Sequence, residues 1–163
     1  MTAFYWILLL IFLLIILPIS AFFVYLYWWS IQRSNPQQDG ELAIGCLAAP
    51  VEVLRDQHGV PHLYAQSLAD LLRAQGFVHA QDRLWQMEQN RRIARGTLAA
   101  VYGEAALEAD RFSRIVGFWR AAQQEATTLD EVTRQHLTWY AEGVNAYLAQ
   151  RPRRLGAEFN LLR

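Results

Sequence analysis

The chain has 163 residues, 53% of them hydrophobic and 18% charged, which leaves room for one folded domain and an additional apolar segment. Fifteen basic residues balance fifteen acidic ones, so the electrostatic footprint of a nucleic-acid binder is absent. A single cysteine, Cys46, excludes an internal disulfide.

Residues 1–32 carry no charged side chain. The apolar run from Tyr5 to Trp29 is long enough to cross a hydrocarbon layer of about 30 Å as a helix. Aromatic residues cluster at its two ends, Phe4, Tyr5 and Trp6 against Tyr25, Tyr27, Trp28 and Trp29, where amphipathic rings prefer the headgroup level. The expectation is a retained single-pass anchor. A cleaved signal would need a basic start, a shorter apolar stretch and a small-x-small exit, and Ile19-Ser20-Ala21 is followed directly by Phe22-Phe23. Arg33 on the distal flank leans weakly toward a cytoplasmic domain, although large domains translocate largely regardless of one charge.

Residues 33–49, which begin RSNPQQDGELAIG, are polar and contain Pro36 and Gly40, the composition of a tether. The domain, residues 50–163, then opens with the alternating run Val51 to Arg55. Asp56-Gln57-His58-Gly59 carries Asp and Gly where a type I turn wants them, and Val60 to Ala65 returns as a second strand. Pro61 confines that strand to an edge or to its own first position. A two-stranded hairpin is marginal in water and needs a partner sheet.

Everything beyond Ala65 reads as helix. Ser67 with Asp70 predicts one capping box and Thr128 with Glu131 another. Phe77, Ala80, Leu84, Met87 and Ala94 share a face, with Gly96 as the stop. A second stripe runs through Phe112, Ile115, Trp119, Ala122 and Ala126, and a third through Val132, His136, Trp139, Tyr140, Gly143 and Tyr147.

The stretch from Gly76 to Gly96 is the densest in candidate catalytic residue types. His79 and Asp82, three apart, share a helix face, but two ligands do not make a metal site. The simpler expectation is that these groups pair with one another and with neighbouring elements. His58 and His62 flank Gly59 and Pro61, which forbid a helix there. His136, on an apolar stripe, is expected to be a hydrogen-bonded core histidine. Arg91, Arg92 and Arg95 form an anion-gripping set that Glu88, three and four residues before the first two, can satisfy locally. Cys46 follows Gly45, and a self-cleaved Gly-Cys junction would expose a nucleophile and its own amine base; a lipidation site is the other special reading. Its place in a tether, before any folded element that supplies oxyanion donors, favours an ordinary small apolar residue.

The segments RDQHGVPH (residues 55–62), AQDRLWQM (80–87) and YAEGVNAYL (140–148) occur in order, and with their surroundings they resemble the N-terminal portion of the penicillin acylase (penicillin amidase) family. The resemblance covers the chain from Pro50 onward; the anchor and tether lie outside it.

That resemblance implies an N-terminal nucleophile amidohydrolase, made as a precursor that cuts itself into a smaller N-terminal and a larger C-terminal chain. The cut exposes a serine whose hydroxyl attacks an amide carbonyl while its own α-amino group, titrating at about 7.7–8.0, takes the proton. The implied fold class is α+β: a β-hairpin plus helices forming part of an αββα fold that a C-terminal chain completes. In the family the nucleophile, the oxyanion donors and most of a calcium site belong to that second chain. No residue here matches any of them, so no catalytic, substrate-binding or metal-binding residue is assigned to this chain, and calcium is expected only in the complete enzyme. The partners implied are the C-terminal chain, a membrane and a small acyl-amide, with the domain outside the cytoplasm. A self-sufficient, catalytically inactive anchored helical adaptor is the other reading the residues leave open.

Overall fold

The computed structural model describes residues 2–34, 36–151, 155, 156, 158, 159 and 162, with the side chains of 2–4, 7–9, 11 and 29–34 outside the description. The chain divides into two compact units, residues 1–35 and 36–163. The first is a single helix, α1 (Thr2–Ser34), which keeps Pro18 in its interior. Its 33 residues amount to roughly 50 Å at 1.5 Å per residue. The Ser20 hydroxyl donates to the Leu17 carbonyl at 2.9 Å, just beyond the proline. Helix is therefore present where the anchor was expected; among the described residues no helix is long and apolar enough to cross a membrane.

The second unit begins with the segment read as a tether, and from Pro36 onward that segment is docked. The Gln81 side chain donates to the Gln37 carbonyl, and Gln150 Nε2 donates to the Ala43 carbonyl at 2.7 Å. Ala48 and Ala49 donate their backbone N–H groups to the Asp70 carboxylate at 3.0 and 3.3 Å. Composition suggested free chain, yet Ile44 packs against the core and the peptide groups find partners on helices far along the sequence. This segment is a strap.

The hairpin follows where alternation placed it, as β1 (Glu52–Arg55) and β2 (Pro61–Tyr64), antiparallel with Glu52 opposite Tyr64 and Arg55 opposite Pro61. Gly59 donates to the Asp56 carbonyl at 2.9 Å and Asp56 donates to the Val60 carbonyl at 3.1 Å, closing a three-residue loop. Gly59, at φ 77°, supplies the left-handed residue that such a loop requires. The Asp56 side chain fixes the turn by accepting from His58 and Val60 N–H, which hold its carboxyl below the usual range.

Helix α2 (Leu68–Arg95) starts at Ser67, whose hydroxyl oxygen accepts from Asp70 N–H, and stops at left-handed Gly96, both as expected. It is interrupted at Arg83, which takes φ −138° and ψ 24°. A short helix α3 (Ala99–Tyr102) and a 3₁₀ turn (Gly103–Ala106) lead to α4 (Leu107–Val116), α5 (Phe118–Thr128) and α6 (Glu131–Gln150). The stripe from Phe112 to Ala126 is split, because Gly117 adopts φ 82° between α4 and α5. Its apolar side chains are bare, with Phe112 62% and Ile115 72% exposed. The expected Thr128–Glu131 box does not form. Asp130 caps α6 by accepting from Thr133 N–H, while Thr128 ends α5 and its hydroxyl turns back to the Glu125 carbonyl.

The centre of the unit is the crossing of α2 and α6, its most extensive contact. Phe77 and Tyr147 meet edge to face at 5.5 Å, Ala80 is fully buried, and Ile44, Leu84, Val144 and Ala146 close around them. Two glycines permit the approach. A Cβ on Gly76 would lie 2.1 Å from the Tyr140 carbonyl oxygen, and one on Gly143 would lie 1.9 Å from that of Arg73. Backbone here packs on backbone.

Candidate functional site

The polar face of α2 is satisfied throughout by structural partners. Arg55 on β1 forks onto Asp82 with two bonds of 2.8 Å and adds a third to Gln81 Oε1 at 3.2 Å, which fastens the hairpin to the helix. Two parallel charge-assisted bonds of this kind fix direction as well as distance. His79 and Asp82, expected to share a face, engage different elements: His79 Nδ1 lies 3.0 Å from the Tyr140 hydroxyl on α6. Burial pushes the Tyr140 phenol upward, so it stays protonated in the neutral range.

Glu88 takes Arg91 at 2.7 and 2.8 Å and sits 2.7 Å from Arg92 Nε. Arg91 above all holds the Glu88 carboxyl below its ordinary range. Arg95 instead covers the Trp119 ring at 4.1 Å, a cation–π contact that ties α2 to α5. The three arginines are thus divided between a local pair and an aromatic plate, and they do not converge on a ligand. Arg73 bridges Glu142 at 2.7 Å and Asp70 at 3.5 Å.

Elsewhere the expected candidates also have ordinary roles. His62 lies 3.7 Å from Asp56 across the turn, and His58 meets Gln57 at 3.3 Å. His136 departs from its expected role: it is half-buried against Trp139 at 5.6 Å, with no hydrogen bond among the described residues, because the outer end of α6 lies away from the core. Cys46 is free and half-buried in a turn closed by Leu47 N–H on the Ile44 carbonyl at 3.2 Å. The Ser67 hydroxyl is committed to Asp70. Among the described residues, no three His, Cys, Asp or Glu side chains form a group that could hold a metal ion.

Two aspartates matter more than sequence reading indicated. Asp70 is 1% exposed and accepts from Ala48, Ala49 and Ser67; the Ala48 N–H contributes most to holding its carboxyl below the usual range. Asp110, also buried, accepts from Leu98 and Ala99 N–H at 2.7 and 2.8 Å and so closes the start of α3. Asp110 carried no local signal, since its partners lie eleven and twelve residues upstream.

Between the strap, the hairpin and α2 runs an open groove of about 1150 Å³. The strap forms one wall, every residue from Val51 to Arg55 lines another, and Ala74, Phe77 and Val78 form its apolar floor.

The class of molecule this defines is a helical scaffold with its polar groups mutually engaged, an open groove beside a bare hairpin, and apolar rings left in water. A sequence model of the Penicillin amidase family matches residues 50–163, and the chain belongs to that family. It is 44% identical over 120 residues to the penicillin acylase 2 proenzyme of Pseudomonas sp. (strain SE83), covering 74% of this chain and 16% of the relative. It is 40% identical over 115 residues to the acyl-homoserine lactone acylase QuiP of Pseudomonas aeruginosa, covering 71% and 14%. Among solved structures it is similar to a thermostable penicillin G acylase from Alcaligenes faecalis, with a TM-score of 0.55 and 40% identity over 64% of this chain and 56% of that one. The chain thus spans 14–16% of the length of these curated relatives.

Proposed function

We propose that this chain is the N-terminal part of a membrane-anchored amidohydrolase that cleaves acyl-amide bonds together with a C-terminal chain of the same precursor. The observation that carries the reading is the 44% and 40% identity, over the folded unit, to relatives named as a penicillin acylase and an acyl-homoserine lactone acylase. Both names describe removal of an acyl group from an amide nitrogen. β-Lactam acyl side chains, acyl-homoserine lactones and related amides are the substrate class. The C-terminal chain completes the αββα fold and supplies the serine nucleophile and the oxyanion donors, which provide most of the rate in such a reaction. This chain contributes scaffold, in keeping with the engagement of its α2 side chains by Arg55, Tyr140 and Glu88. Two chains are also in keeping with the shares matched, 16% of a proenzyme but 56% of a chain in a solved structure. Calcium, which the family resemblance implies for the complete enzyme, meets no donor cluster among the described residues here, so no step is assigned to it.

The anchor is residues 1–32, in support of which stand the absence of charge and the continuous helix Thr2–Ser34. The folded unit lies outside the cytoplasm.

The test is hydrolysis of phenylacetyl and fatty-acyl anilides by this chain alone and by the complete gene product. The chain alone is expected to give no turnover and the complete product to turn over at least one anilide. Turnover by the chain alone that Cys46→Ala abolishes would overturn the reading in favour of the Gly45-Cys46 junction. A complete product inert toward both anilides, and toward acyl-homoserine lactones, would leave the adaptor.

A further inference from the structure

We propose that the outer edge of β1 is completed by a third strand, supplied by the C-terminal chain and seated in the groove beside it. The inference rests on the two-chain reading above and specifies which backbone groups join the chains.

The register identifies those groups. Asp56 N–H donates to the Val60 carbonyl, so this pair belongs to the hydrogen-bonded set. Hydrogen-bonded and non-bonded pairs alternate along an antiparallel ladder. With Leu54 opposite His62 and Glu52 opposite Tyr64, these two pairs exchange the interstrand bonds. Val53 and Arg55 therefore turn their N–H and C=O groups outward on the far side of β1. The same alternation turns Pro61 and Leu63 outward on β2, and Pro61 has no N–H to offer. A proline on an edge is a known means of blocking strand addition, so β2 is the protected edge and β1 the receptive one.

Nothing among the described residues covers the receptive edge. No backbone hydrogen bond joins the strap to Val53 or Arg55. The groove follows β1 for its whole length, with room for an extended segment between strap and strand. Val53 and Leu54 stand 38% and 50% exposed beside it, apolar side chains on both faces of a strand that has one neighbour. Main-chain pairing at such an edge confers affinity, and the flanking pockets confer choice of side chain. The occupant is the C-terminal chain because most of the length of the matched relatives lies outside the region this chain covers. A two-stranded sheet is also too small to be stable without an addition.

The experiment is amide hydrogen exchange, resolved to single residues over 50–64, on this chain alone and on the complete gene product. In the chain alone, Val53 and Arg55 should exchange rapidly while Leu54 and Glu52 are partly protected. In the complete product, Val53 and Arg55 should slow by roughly a hundredfold, to the level of other sheet amides. Val53→Pro, which deletes an outward donor on β1, should prevent association of the two chains. Leu63→Pro, which deletes the matching donor on β2, should not, and it controls for damage to the hairpin. Unchanged exchange at Val53 and Arg55 in a product that hydrolyses anilides would overturn the strand pairing and leave the proposed function intact. Protection in a product that hydrolyses nothing would keep the pairing and remove the function. Protection that arises in this chain alone and grows with concentration would make a second copy the occupant and overturn the proposal. So would equal loss of association in both proline variants.

Discussion

Replacing Gly143 by alanine tests the backbone-on-backbone crossing of α2 and α6. Helix propensity alone says the change should stabilise α6 by about 1 kcal/mol. The geometry says otherwise, because the new methyl carbon would lie 1.9 Å from the Arg73 carbonyl oxygen and 2.9 Å from Phe77 N. Neither is the far end of a flexible side chain, so the helices must part by roughly 1 Å to restore ordinary contact. A gap of that size forfeits a quarter to a half of the dispersion well for atoms along the seam, and overpacking of this kind costs about 1–3 kcal/mol. Taking about 3 kcal/mol for the clash less 1 for propensity leaves a net loss of about 2 kcal/mol. Amides of α6 near Val144 should then exchange roughly 30-fold faster. Gly76→Ala should behave alike, and the double variant should cost little more than either alone, because one separation of the axes accommodates both methyls. Gly45→Ala, where the added carbon meets nothing within 4 Å, is the neutral control. Slower exchange in Gly143→Ala, or additive effects of the two substitutions, would refute the reasoning.

Acidification should release the strap. The folded carboxyl of Asp70 is held below its unfolded value of about 3.9, so its stabilisation is fully present above that pH and is lost as pH falls through the lower folded value. Ala48 and Ala49 amide protection, corrected for intrinsic rates, should be flat from pH 5 to 7 and collapse at lower pH, whereas Asp70→Asn should lose it at every pH. Asp130→Ala should fray the first turn of α6, read as loss of protection at Thr133, and Thr128→Ala should leave that turn unchanged. Arg55→Lys replaces a fork with a point charge and should loosen the hairpin by about 1 kcal/mol, seen as faster exchange at Leu54 and His62. Residues 34–163 alone should keep a helical far-ultraviolet spectrum, bind hydrophobic dyes and melt without a sharp transition; a cooperative monomeric melt with dispersed aromatic resonances would favour the adaptor.

Local signals were legible. The Asp56–Gly59 turn, the Ser67 cap, the Gly96 stop and the pairing of Glu88 with Arg91 and Arg92 each depend on residues within five positions, and each lies where spacing placed it. The error at Thr128 has the same origin: a capping pattern beginning at Thr128 overlaps the Asp130–Thr133 pair by two residues. The chain turns only at Leu129, with φ −58° and ψ 135°, which hands the cap to Asp130. What escaped was non-local. Asp82 finds Arg55 across 27 positions and Ala43 finds Gln150 across 107, and no periodicity encodes such partners. Gly143 appeared merely as one member of a stripe, although its lack of a side chain is what sets the distance between the two main helices. The site residues of the reaction were not legible because the resemblance assigns none of them to this stretch.

The strap is gripped at the Gln37 and Ala43 carbonyls and at the Ala48 and Ala49 nitrogens, in every case through the main chain. Recognition of that kind reads shape and ignores identity, since every residue offers a carbonyl and all but proline offer the nitrogen. Side chains at these positions are therefore free to drift, provided proline stays away from 48 and 49, while the docking persists. The family match begins at residue 50, immediately past the strap. A join that tolerates substitution lets different leaders be spliced in front of one scaffold, and the strap is where such exchange would leave the fold undisturbed.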